Sequence, residues 1–107
     1  MITIVELPSY IKKASTCLTA DNQKALVDYL AVYPEAGVIM EGTGGVRKLR
    51  WATENSGKSG GVRVIYYYYN ETMPLYLIAM FKKSEKANLN KAERNDLAIM
   101  VELLKKR

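Results

Sequence analysis

The 107-residue sequence contains no histidine. That absence excludes Ser-His and Cys-His catalysis, His-ligated zinc, and the histidine acid–base pairs on which many nucleases depend. Cysteine is nearly absent too. Cys17 stands alone and cannot form an internal disulfide, so nothing in the cysteine usage points to secretion. No apolar run approaches the ~20 residues needed to span a bilayer. The opening segment, MITIVELPSY, lacks the basic-then-apolar shape of a signal peptide. The expectation is a cytoplasmic protein with no membrane partner. Acid is in short supply as well: 11 Asp and Glu stand against 16 Lys and Arg, a formal net charge of +5. Such a surplus favours a polyanionic partner, and nucleic acid, the ribosome and an acidic membrane surface all qualify.

What is present reads as one domain over residues 1–107, with 49% apolar and 25% charged residues, ordinary for a globular chain. A chain of this length buries a modest fraction of its surface and has little stability margin. The most informative stretch runs from Gly42 to Tyr69. It holds Arg47, Lys48, Arg50, Lys58 and Arg63 against one acid, Glu54, and six of the seven glycines. It ends in the most concentrated β-forming run of the chain. A β-ribbon with cations on one face and apolar side chains on the other could present charge to a polyanion while its back seals a core. Further cations lie at Lys82, Lys83 and Lys86 and in the tail Lys105-Lys106-Arg107.

In chain order, Ile2 to Leu7 is β-rich and is stopped by Pro8, a short first strand. Tyr10, Ile11, Ala14 and Leu18 recur at near-helical spacing over Ser9 to Leu18. Thr19 then fits an N-cap, with Asp21 in the first turn. Leu26, Val27, Leu30 and Tyr33 make one apolar stripe before Pro34. Glu35 to Glu41 reads as a connector with Val38, Ile39 and Met40 available to the core. The glycines of Gly42 to Gly45 make a turn or bulge. Val46 to Ala52 is a strand in which Val46, Lys48 and Arg50 share one side and Arg47, Leu49 and Trp51 the other. After a polar hairpin connection over Glu54 to Gly61, Val62 to Tyr69 has the β-branched and aromatic content of a central strand buried on both faces. Leu75 to Phe81 is the last strand, and Lys82 to Leu89 a charged linker. Asn90 and Glu93 form a capping box for a final helix with Leu97, Met100, Val101 and Leu104 as its core stripe. The expected fold is α+β: a mostly antiparallel four-stranded sheet, two N-terminal helices and a C-terminal helix, with the helices on one side.

Gly57-Lys58-Ser59 resembles part of a phosphate-binding loop, but the required earlier glycine is Ala52 and a strand follows instead of a helix. The segment reads as a hairpin loop. Tyr66 to Tyr69 could stack on bases, yet alternation on a central strand puts at least two of them in the core, where aromatics bury most area. The cations are the sharper signal. A charged strand face is usually just solvated. Here, however, Lys48 and Arg50, Arg63, and Lys82 and Lys83 come from three segments whose ends antiparallel connections bring near one another. A convergent basic cleft can bind phosphate as well as neutralise it. RNA cleavage by 2′-hydroxyl attack needs no metal and no histidine in principle. It needs a base, stabilisation of the phosphorane charge and a proton for the leaving oxygen. Lysine can be a base where neighbouring cations lower its pKa, and arginine suits a bidentate phosphate clamp.

GTGGVRKLR, then GKSGGVRVIYYYY, then YLIAMFKKSEKANLN, together resemble the HigB-like branch of the RelE superfamily of type II toxin–antitoxin toxins. The resemblance covers nearly the whole chain. It implies a small α+β domain, metal- and cofactor-free cleavage of messenger RNA on the ribosome, and a cognate antitoxin, commonly a helix-turn-helix protein. By position, Lys48 and Arg50 match residues assigned to proton abstraction and phosphate contact, and Arg63 one assigned to the transition-state charge. Lys83 stands near a family arginine assigned to leaving-group protonation or phosphate contact. Arg47, Lys58, Lys82 and Lys86 would add contacts to RNA or ribosome. A tyrosine that some members use as a catalytic group falls at Leu89. The same fold serves gyrase-poisoning toxins of the ParE branch, and a plain RNA- or ribosome-binding module would also account for the charge.

Overall fold

The computed structural model describes residues 2–53 and 61–106. Its elements in order are β1 (Ile4–Glu6), α1 (Pro8–Cys17), α2 (Ala20–Val32), β2 (Val38–Ile39), β3 (Val46–Trp51), β4 (Val62–Tyr67), β5 (Leu75–Lys82) and α3 (Lys91–Lys105). The hairpin connection that carries Lys58 and the Gly57-Lys58-Ser59 segment lies outside the described residues.

The helices begin where local chemistry favours them. Pro8 occupies the first turn of α1, where its missing N–H costs nothing. Thr19 caps α2 by accepting from Asn22 N. At α3, Asn90 Oδ1 accepts from Glu93 N at 2.8 Å while Glu93 Oε1 accepts from Asn90 N at 2.9 Å, closing the expected capping box.

The sheet has five strands in the order β1-β5-β4-β3-β2. One strand, β2, was not among the four expected. The expected first strand pairs with the edge of β5 in parallel, which makes the sheet mixed. Val38 and Ile39 form a short antiparallel edge strand on β3, so both stay largely exposed; of the connector's apolar residues Met40 alone is buried. The α+β class stands. β4 sits in the middle with all six residues buried, because it has a strand on either side and helices above and below.

The helices pack on both faces, not one. Tyr10, Ala14, Leu18, Leu26 and Leu30 of the N-terminal pair meet Leu49, Val64, Tyr66 and Leu77 on one face. Leu97 and Val101 of α3 meet Val46, Ile65, Tyr67 and Tyr76 on the other. A sheet residue therefore serves one core or the other by its parity. Tyr33 and Ile11 fit the helical spacing yet are exposed, because each lies at the edge of its stripe.

Two local devices fix the cation-bearing strand. Thr43 is fully buried in the turn between β2 and β3; its hydroxyl donates to Met40 O at 2.7 Å and accepts from Val46 N at 2.9 Å. Positive φ at Gly42, Gly44 and Gly45 lets the chain wrap around that hydroxyl. Tyr66 acts from the core: its hydroxyl donates to Pro34 O at 2.9 Å and accepts from Gly37 N at 2.8 Å, holding the connector from α2 against β3.

Candidate functional site

Cross-strand register defines the site. Arg50 on β3 lies directly opposite Arg63 on β4, and Arg63 lies opposite Phe81 on β5. The neighbouring row is Lys48, Ile65 and Ala79. Val46, Ile65 and Phe81 belong to the α3-side core, so alternation turns Lys48, Arg50 and Arg63 to that same face. α3 covers the end of this face nearest Val46 and Tyr67, and the arginine row lies towards the other end.

Two like charges placed directly opposite destabilise a sheet. Arg63 compounds the cost, being only 8% exposed on the central strand. Among the described residues no carboxylate or hydrogen-bond acceptor is paired with either Arg50 or Arg63. The guanidinium nitrogens of Arg63 still reach solvent, but a cation so largely stripped of water and without a partner costs stability in a small fold. Arg50 is exposed beside it, and two guanidinium forks so placed could take an anion with several acceptor oxygens, such as a phosphate.

Lys48 Nζ reaches Asn88 Oδ1 at 3.4 Å, and the same oxygen accepts from Leu89 N at 2.9 Å. The segment after β5 is thus drawn towards the cations. Lys83 lies in the turn that ends β5, two residues beyond Phe81. That turn is braced by Glu85, which accepts from Lys82 N at 3.0 Å and from Lys13 Nζ at 2.8 Å. The Lys13 hydrogen bond, helped by the Lys82 amide, holds the Glu85 carboxyl below the usual range. Lys86 pairs with Glu93 and lies over the Phe81 ring, 5.6 Å from its centroid. The Glu93 carboxyl is likewise held low, by the Lys86 bond first and the Asn90 amide second.

The remaining sequence-derived candidates lie elsewhere. Arg47 projects to the opposite face, where its guanidinium donates to Gly37 O at 2.8 Å and Glu35 O at 3.1 Å and pairs with the Glu35 carboxylate at 3.6 Å. It is bound up in holding the connector. Lys82 alternates away from Phe81 and is exposed. Lys58 is outside the described residues. Leu89, where the sequence resemblance would place a tyrosine, packs apolar atoms on the α3-side core. Tyr66 and Tyr67 are core residues, Tyr68 packs against the core, and Tyr69 is exposed beneath the Lys105 ammonium.

Sequence reading missed Asn88, which has no pattern to announce it. It also missed a cleft of about 260 Å³ between β4, β5 and α3. No set of three or more acidic, cysteine or histidine side chains that could hold a metal occurs among the described residues.

Fold and site together define a small basic α+β protein with an arginine pair side by side on its sheet. A sequence profile for the RelE toxin of the RelE / RelB toxin-antitoxin system matches residues 11–107. The chain belongs to this RelE toxin family, whose members are the toxin half of a toxin–antitoxin pair, and its cognate partner is an antitoxin. No helix among the described residues is long and apolar enough to cross a membrane.

Proposed function

We propose that this toxin is an endoribonuclease of the HigB-like branch that cleaves messenger RNA on the ribosome and thereby arrests translation in the cytoplasm. The observation that carries the reading is the unpaired Arg50–Arg63 row beside Lys48. Arg63 stabilises the extra charge on the phosphorane and Arg50 holds the same phosphate. Lys48 takes the 2′-hydroxyl proton, and Lys83 supplies a proton or a phosphate contact on the leaving side. Lys58, Lys82 and Lys86 add contacts to RNA or ribosome. Arg47 is left out of that set, because its terminal guanidinium nitrogens are engaged on the other face. No step needs a metal or a cofactor. The antitoxin is of helix-turn-helix type.

The test is to induce the protein in cells and map transcript ends. Cuts inside translated codons are expected. Intact messages under arrested translation would overturn the nuclease reading, and a DNA-damage response would point to gyrase poisoning instead.

A further inference from the structure

The cleft beside the arginine row has a composition that phosphate binding does not use. Its sheet wall is Ile65, Ala79 and Phe81, and α3 with the preceding segment supplies Leu89, Leu97 and Met100. The first three residues belong to the two rows that carry Lys48, Arg50 and Arg63, so the cations and the cleft share one floor. At about 260 Å³ the space falls below the ~300 Å³ where drug-sized pockets begin and is on the scale of one flat ring system.

Two acids meet this cleft, Glu93 and Asp96. Glu93 is fully committed, one oxygen to the Asn90 amide and the other to Lys86. Asp96 is different: among the described residues it has no hydrogen-bond or ion-pair partner. An unengaged carboxylate at the mouth of an apolar slot, in a chain of net charge +5, is placed to accept from a ligand.

Single-stranded RNA is read by splaying a base from the strand, packing its face on side chains and hydrogen-bonding its Watson–Crick edge. Among those edges, guanine offers a carboxylate two adjacent donors, N1–H and the N2 amino group. Adenine and cytosine each set one donor beside a ring-nitrogen acceptor, which a carboxylate repels. Uracil sets N3–H between two carbonyls. We propose that this cleft is a base-specificity subsite: it seats a guanine adjoining the phosphate held by Arg50 and Arg63, with Asp96 accepting from N1–H and N2–H.

The inference rests on the RNA-cleavage reading, and its test separates the two. Ribosomes programmed with messages carrying guanine, inosine, adenine, cytosine or uracil at the nucleotide beside the cut would be treated with wild-type protein and with Asp96→Asn. Wild type should cut the guanine message about tenfold faster than the uracil message, with inosine between them because it lacks the N2 amino group. Asp96→Asn should bring the guanine-to-uracil ratio towards one. Equal rates in wild type, or an unchanged ratio in Asp96→Asn, would overturn the subsite. If no message is cut at all, the nuclease reading fails and binding decides the subsite alone. 2′-O-methyl trinucleotides with central guanine or uracil would then be titrated while the Leu97 and Met100 methyl resonances are followed. Guanine-selective shifts that Asp96→Asn abolishes would uphold the subsite, and equal or absent shifts would reject it.

Discussion

At the scale of single residues, tyrosines show how one side-chain type takes opposite roles. Tyr66 satisfies two buried backbone groups, Pro34 O and Gly37 N. Tyr66→Phe leaves both without a partner and should cost about 1–3 kcal/mol in chemical denaturation. Tyr10 is as buried, yet its hydroxyl has no hydrogen-bond partner among the described residues. Burial, with Glu6 adding to it, pushes the Tyr10 hydroxyl up to about 12. An unfolded tyrosine ionises near ~10, so the stability tied to Tyr10 is full below that pH. It is lost as pH rises from there through the folded value. Tyr10→Phe should therefore be neutral to stabilising, by about 1 kcal/mol, and should shrink the alkaline loss in a denaturation series above pH ~10. The limb should shrink without vanishing, because burial raises Tyr66 and Tyr67 in the same direction. A Tyr10→Phe protein clearly less stable than wild type at neutral pH would count against this account. Parity sorted the cations of β3 from the sequence alone, since Lys48 and Arg50 share a face that Arg47 does not. The pairing of Arg50 with Arg63 was not legible, because register depends on the hairpin between them.

At the scale of elements, the strands flanked by clear stops and the helices with caps were legible, and their packing was not. Thr19 and Asn90 announce their helices by chemistry that acts within one turn. No such local signal says on which face a helix will lie. α3 has the same amphipathic spacing as α1, but goes to the opposite face, where Val46, Ile65 and Tyr67 need cover. Likewise Ile4–Glu6 pairs with Leu75–Leu77 across most of the chain, a long-range choice that no short window contains. The turn from β5 to α3 is the element most tied to charge. Glu85 and Glu93 are both held below the ordinary carboxylate value, and each pairs with a lysine. Depressed carboxylates stabilise the fold above their unfolded pKa of ~4.3, and that contribution is lost as pH falls through the lower folded values. Melting temperature should fall across that acid window in wild type, and fall less steeply in Glu85→Gln. An identical acid slope in the variant would show that the Lys13–Glu85 contact contributes nothing.

At the scale of the whole molecule, charge and fold divide the work between two faces. One face seals the α1–α2 core and ties Arg47 into the connector. The other carries both the smaller core under α3 and the unpaired arginine row. If RNA is the partner, affinity must fall with salt. Each phosphate contact removed from a single strand should lower the slope of log affinity against log salt by about 0.7. Lys83→Ala, exposed and away from both cores, is the variant in which to measure that change with ribosome-free RNA; an unchanged slope would remove Lys83 from the contact surface.

Under the proposed function, Arg63, largely buried and without a partner among the described residues, serves chemistry at the expense of stability. Arg63→Met replaces a charge between Arg50 and Phe81 with an apolar side chain of similar reach. The decisive measurement pairs its unfolding free energy with its rate of message cleavage on translating ribosomes. The account predicts a protein at least as stable as wild type, by up to about 1–2 kcal/mol, whose cleavage is slower by roughly 100- to 1,000-fold. A less stable protein that cleaves at the wild-type rate would contradict it.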